Sequence, residues 1–245
     1  MARRHTEAGE TLDELQSGAD RLGTYIQEHL KEVVIGVVVL LLLAGGASLL
    51  LSSRERSEEA ASIALEKARN EYLRAMGASP GALEVPELAN PEAAKRVREE
   101  YRAIYGEIAD AHPGTVSGAL ARLEVVSLQQ SAGELDAALE TLKQVRAEAP
   151  SRPGLQGMIL QAEAQTLEQA DRFEEAAERH EQAAALDGYP LRHYALADAA
   201  RCRAQAGDAA AARALYAKLD AEAPDLRLPE YQRIQRRELL ELEAD

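Results

Sequence analysis

GELDAALETLKQVRAEAP, running from Gly133 to Pro150, is matched in pattern by DRFEEAAERHEQAAALDGYP from Asp171 to Pro190 and by GDAAAARALYAKLDAEAP from Gly207 to Pro224. Gly133 and Gly207 lie 74 residues apart, as do Pro150 and Pro224, which makes two periods of 37. In each stretch an alanine follows the turn position by five residues (Ala138, Ala176, Ala212). A larger side chain comes four later (Leu142, His180, Tyr216), and a further position three after that (Val145, Ala183, Leu219). Steps of three and four mark one face of a helix. The alanine marks a point where two helices cross so closely that a longer side chain would push them apart, at about 1–3 kcal/mol. The closing proline ends the helix, because it has no N–H to donate and its ring clashes with the preceding turn.

The segments before these turns, Ala119–Gln130, Gly157–Leu167 and Tyr194–Ala206, are predicted to be helices as well, so each unit is helix, turn, helix. A period in the thirties with this content predicts an all-α fold, a stacked helical solenoid. The composition agrees. With no Trp and one Phe, the core must be built from Ala and Leu at close helix approach. A partial unit precedes the three. Pro91–Gly114 fits a second helix, with Tyr101, Tyr105, Ile108 and Pro113 in phase, and Ser57–Met76 would be its first helix. Gly77–Asn90, rich in Gly and Pro, reads as a loop. The expected domain is 57–245: a split repeat over 57–113, repeats over 115–150, 153–190 and 191–224, and a capping helix over 229–243.

This pattern resembles the tetratricopeptide repeat (TPR) family: a turn Gly or Asp, a small residue at the crossing, a large one, another apolar one, then Pro. Gly133, Ala138, Pro150, Ala176, Gly207, Ala212 and Pro224 carry the likeness. The Trp and Tyr of that family's first helices are missing here, and 37 exceeds its usual period of about 34. The resemblance implies protein binding by a groove that the first helices line. Its candidates in this chain are Gln130, Gln161, Gln165, Glu168, Tyr194, Arg201 and Gln205. The Lys/Asn/Arg clamp with which some members hold chaperone tails has no match at Leu123 and Ser127. A groove of amides and small residues suits an extended peptide better than a charged tail.

Val33 to Leu51 reads VVIGVVVLLLLAGGASLLL, with no charge and only Ser48 as a polar side chain. At about 1.5 Å per residue the run is about 28 Å long as a helix, against a hydrocarbon core of about 30 Å. It is predicted to be a transmembrane helix over 33–52. A cleaved signal would be shorter and would follow a brief basic leader, whereas 32 residues, many acidic, precede this run. Ala44–Ser48 offers a small-residue face for another membrane helix, or is simply glycine tolerated in lipid. Basic residues balance across the run: Arg3, Arg4, Arg21 and Lys31 before it, Arg54, Arg56, Lys67 and Arg69 after it. Charge therefore leaves the orientation open.

Residues 1–32 form an expected amphipathic leader. Leu12, Leu15, Ala19, Leu22 and Ile26 share one stripe, and Asp13, Glu14, Asp20, Arg21 and Glu28 occupy the other face. Surface-lying helices are rich in Lys and Arg, so this acidic leader suits a protein groove or self-pairing. The chain as a whole carries 28 Lys and Arg against 42 Asp and Glu, net −14. That balance argues against nucleic acid, whose binding rests on neutralising phosphates.

No catalytic motif is present, and an enzyme is not expected. His5, His29, His112, His180 and His193 are scattered, no ligand spacing for a metal is seen, and Cys202, the single cysteine, reads as small core filler. No cofactor and no small-molecule substrate are expected. Leader, single membrane helix and repeat domain together resemble the YfgM-type ancillary subunits of the SecYEG translocon. That resemblance implies a single pass through the inner membrane, repeats in the periplasm, and a role linking exported chains, SecYEG and periplasmic chaperones. The same architecture also serves envelope-assembly scaffolds for cell-wall or outer-membrane machinery, and cytosol-facing adaptors.

Overall fold

Four times among the described residues a helix ends on a residue with left-handed backbone: Gly77 at φ +82°, Gly133 at φ +73°, Asp171 at φ +56° and Gly207 at φ +88°. Each makes the same pair of closing bonds. Its own N–H donates to the carbonyl three residues back, as Gly133 does to Gln130 at 3.0 Å and Asp171 to Glu168 at 3.0 Å. The next N–H reaches back five residues, as Arg172 does to Leu167 at 2.9 Å and Asp208 to Arg203 at 2.9 Å. These bonds satisfy carbonyls that the helix leaves unpaired and, at the last three, turn the chain into the next helix.

The computed structural model describes residues 29–79 and 85–241, leaving out nine side chains between Leu30 and Leu50 and those of residues 240 and 241. The described residues form helices and no strand. In chain order they are α1 (Leu30–Ala75), α2 (Pro91–Ala111), α3 (Val116–Ser131), α4 (Leu135–Glu148), α5 (Pro153–Gln169), α6 (Phe173–Ala184), α7 (Arg192–Gln205), α8 (Ala209–Glu222) and α9 (Glu230–Glu241). The predicted all-α class holds. The chain divides into two compact units, 1–55 and 56–245.

Two expectations about the first unit need correction or placing. The sequence suggested a membrane helix ending at Ser52 and a separate helix from Ser57. The structure has one helix, α1, running through both. SSRERS between them contains no proline or glycine, so nothing stops the backbone hydrogen-bond ladder. Among the described residues no helix is long and apolar enough to cross a membrane. Of Val33–Leu51, the side chains of Val33, Gly36, Val37, Ala44, Ala47, Leu49 and Leu50 lie outside the described residues. Described members of the run, among them Ile35, Leu40, Leu42 and Leu43, are exposed apolar side chains. The leader, residues 1–28 of the predicted 1–32, lies outside the described residues.

In the second unit every helix packs on its sequence neighbours from α2 onward. Contacts also join α3 to α5, α5 to α7, and α7 to α9. These skip contacts align the first helix of each hairpin in one row, with α9 as its last member. The alanine seam lies where the spacing put it: Ala138, Ala176 and Ala212 are buried, as are Leu142, His180, Tyr216, Val145, Ala183 and Leu219. The first helices begin earlier than expected, at Val116, Pro153 and Arg192. Thr115 caps α3 by accepting from Gly118 N–H at 3.0 Å, and Pro153 occupies the first turn of α5, where a missing N–H costs nothing.

The end of α1 joins this stack through Glu58. Its carboxylate accepts from the N–H groups of Val116 and Ser117 at 2.6 and 2.9 Å and from the Ser117 hydroxyl at 2.6 Å. An anion at a helix N-terminus also meets the positive end of the helix dipole. Burial opposes ionisation of Glu58, but these donors outweigh it and hold its carboxyl below the usual range. Leu65 and Ala68 pack with Tyr101, Tyr105, Ala121 and Leu128. Tyr72, Tyr101 and Tyr105 form a ring cluster with centroids 5.3 to 6.4 Å apart. At the other end Arg236 of α9 lies over the Tyr216 ring, 5.1 Å from its centroid.

Candidate functional site

One polar contact between first helices recurs in two adjacent repeats. Near the end of α3, Gln130 donates from Nε2 to the Thr166 hydroxyl of α5 at 2.7 Å. One repeat on, the equivalent side chain is Glu168 at the end of α5, and it meets α7. Arg201 Nη2 donates to both Glu168 oxygens, at 2.8 and 2.7 Å. His180 of α6 shares a 2.8 Å hydrogen bond between Nε2 and Glu168 Oε1. Asp198 lies 3.4 Å from the same Arg201 nitrogen and accepts from Gln232 Nε2 of α9 at 2.7 Å. Cys202, fully buried, belongs to the same cluster.

The cluster sorts its acids by hydrogen bonding. Burial works against ionisation of both carboxyls. At Glu168 it is outweighed by His180 and Arg201, and the pKa is lowered. At Asp198 burial prevails over His180 and Arg201, and the pKa is raised. Burial, with Glu168 nearby, pushes the Cys202 thiol up. A protonated, inaccessible thiol is inert as a nucleophile.

The other face of α5 has a second interior acid. Glu163 is 5% exposed and takes Arg146 and Arg179 on one oxygen, Oε2, each at 3.0 Å. Its other oxygen, Oε1, is buried without a partner. Burial raises its pKa in spite of both arginines. A cavity of about 420 Å³ adjoins it, lined also by Leu139, Lys143 and Arg172. A third region, a cleft of about 340 Å³, lies between α1, α2 and α3. Tyr72, Leu73, Val85 and Leu128 line it with Arg69 and Ser127.

Of the seven groove candidates, the structure unites Glu168, Arg201 and Gln205, the last accepting from Arg201 Nη1 at 3.1 Å. Gln130 is spent on Thr166, and Gln161 accepts from the buried Tyr189 hydroxyl at 2.6 Å. Tyr194 packs in the α7–α8 core. Gln165 is exposed. These side chains serve the joints between repeats more than an open groove. Donor atoms of Glu168, His180 and Cys202, which no local ligand spacing links in the sequence, lie within 4.8 Å of one another. Spacing rules describe ligands on one local loop, whereas here three stacked helices supply them. The clue was His180, a polar side chain at the phase that Leu142 and Tyr216 fill elsewhere. Compared with known protein families, characterised proteins and solved structures, the chain gives no match.

Proposed function

We propose that this chain is a membrane-anchored helical-repeat scaffold that holds other polypeptides near the bilayer. The observation that carries the reading is the row formed by α3, α5, α7 and α9, joined through skip contacts behind an alanine seam. A row of this kind presents a continuous surface to an extended chain. The cleft beside Tyr72, Val85 and Ser127 supplies apolar and hydrogen-bonding lining at its start. The uncharged run Val33–Leu51 supports an anchor by its length and apolarity. Tethering raises the effective concentration of scaffold and client toward the millimolar range of a short linker, so that weak contacts suffice.

The sequence resemblance to YfgM-type subunits gives this scaffold a place. It would pass newly exported chains between SecYEG and periplasmic chaperones, with the repeats periplasmic. A reporter fused after Asp245 and active only in the periplasm tests the topology. A photo-crosslinker at Ser127 tests the binding: we expect adducts with translocon subunits or exported chains. A cytoplasmically active reporter together with adducts to neither class defeats the proposal. The same crosslinks made to cell-wall or outer-membrane machinery would favour an envelope-assembly scaffold.

A further inference from the structure

We infer that Glu168, His180 and Cys202 form a binding site for a zinc-class divalent cation that ties α5, α6 and α7 together. One carboxylate oxygen, one imidazole nitrogen and one sulfur, contributed by three helices, lie within 4.8 Å of one another. That mixed set suits Zn²⁺, which takes Cys, His and carboxylate ligands and commonly leaves a fourth position to water. Two ligands of one tetrahedral zinc stand about 3.3–3.7 Å apart. The group therefore closes by about an ångström, and the 2.8 Å bond between His180 and Glu168 opens.

His180 is 1% exposed and Cys202 fully buried, so an ion held by them would sit in the interior of the joint. The imidazole nitrogen that faces the carboxylate is Nε2, and its lone pair is the one the ion would take, with the ring proton on Nδ1. Arg201 gives up its 2.8 Å bond to Glu168 Oε1 when the ion binds. It keeps its 2.7 Å bond to Glu168 Oε2 while Oε1 turns to the ion, as partners of metal-bound carboxylates do.

The charges also close. Glu168, Asp198 and Arg201, in their ionised forms, leave the cluster at −1. Binding breaks the Cys202 S–H bond, sends the proton to solvent and forms a sulfur–metal bond. The thiolate adds −1 and the ion +2, so the interior cluster becomes neutral. In the preceding repeat the equivalent polar contact is the Gln130–Thr166 hydrogen bond. The cation would thus reinforce one joint of the row.

Cys202 is the chain's single cysteine, so a thiolate signal can have only one source. The test titrates the full-length chain, in detergent, with Co²⁺ and then Zn²⁺. We expect one equivalent of Co²⁺ to raise a thiolate-to-cobalt charge-transfer band and visible four-coordinate bands. Zn²⁺ should abolish both and raise the melting temperature. Cys202→Ala should lose the band and bind Zn²⁺ at least about tenfold more weakly, and His180→Gln should weaken Zn²⁺ binding similarly. Saturating Co²⁺ without a charge-transfer band overturns the inference, as does unchanged Zn²⁺ affinity in both variants. The wild-type spectrum decides the matter even if a variant fails to fold.

Discussion

Glu163 and Glu168 sit on one helix, five residues apart, which at 100° per residue places them about 140° apart around α5. Both are withdrawn from solvent and both have arginine partners, yet their pKa values move in opposite directions. The difference lies in how many oxygens are used. Glu168 has donors on both: His180 and Arg201 on Oε1, and Arg201 on Oε2. Glu163 stacks two arginines on Oε2 and leaves Oε1 bare. Nearby positive charge does not by itself stabilise a buried carboxylate. Each oxygen must also recover the hydrogen bonds it had in water.

Breaking the satisfied site should cost most. Glu168→Gln takes from Arg201, 13% exposed, its closer anion and leaves it the 3.4 Å contact to Asp198; loss of one partner of a buried pair typically costs about 3–5 kcal/mol. Urea denaturation measured at neutral pH checks this. A loss below about 1 kcal/mol would place Glu168 among solvated surface pairs and erase the contrast with Glu163. Next in size is Ala176→Leu. Ala176 packs with Ala177, Leu167 and Cys202 beside the same joint, and the added carbons should cost about 1–3 kcal/mol. An unchanged melting temperature would mean that the crossing is loose and that packing does not hold Glu168 in register.

Glu163→Gln should be close to neutral, within about 1 kcal/mol, because Arg146 and Arg179 are 39% and 28% exposed and remain solvated when the charge is removed. pH sharpens the pair. The contribution of Glu168, whose folded pKa is lowered, is present above the ordinary carboxylate pKa of about 4.3 and is lost as pH falls through its lower folded value. The contribution of Glu163, whose folded pKa is raised, is present below that ordinary value and is lost as pH rises through its folded value. The penalty of Glu168→Gln should therefore shrink in acid. Glu163→Gln should look better, relative to wild type, as pH rises toward neutrality. Parallel pH profiles for the two variants would refute the oxygen-by-oxygen account.

The parts of this molecule legible in the sequence are those that repeat. Ala138, Ala176 and Ala212 announce the seam because three copies hold one phase, and the turns at 133, 171 and 207 follow from the same alignment. Helix starts were harder, since Pro153 and Gly154 look like a loop until the proline is placed in a first turn. The continuity of α1 was missed because a change from apolar to charged composition imitates a boundary, although the backbone has no reason to stop there. The cluster around Glu168 was legible only in fragments. Glu168 and Arg201 stood out as polar residues on first helices, whereas His180 read as one more large side chain at the phase of Leu142 and Tyr216. Nothing in a linear reading says that a side chain of α6 and one of α7 meet the end of α5. That knowledge comes from stacking geometry, which the repeat implies but does not measure.

The smallest expected effect concerns the turn that ends the helix both acids share. Asp171 holds φ +56° where its counterparts Gly133 and Gly207 are glycines. A left-handed conformation costs an ordinary L-residue about 1–2 kcal/mol, less for Asp. Glycine removes that strain but loses about 0.5–1 kcal/mol through greater freedom in the unfolded chain. The closing bonds use the backbone N–H groups of Asp171 and Arg172, which the substitution keeps. Asp171→Gly should therefore stabilise the fold by about 0.5 kcal/mol, a rise of about 1–2 °C in melting temperature for a domain of this size. Gly133→Ala, the reverse experiment at the preceding turn, should lower it by a comparable or larger amount. A clear loss for Asp171→Gly would mean that the Asp171 side chain, and not its backbone conformation, sets the angle at which α5 hands the chain to α6.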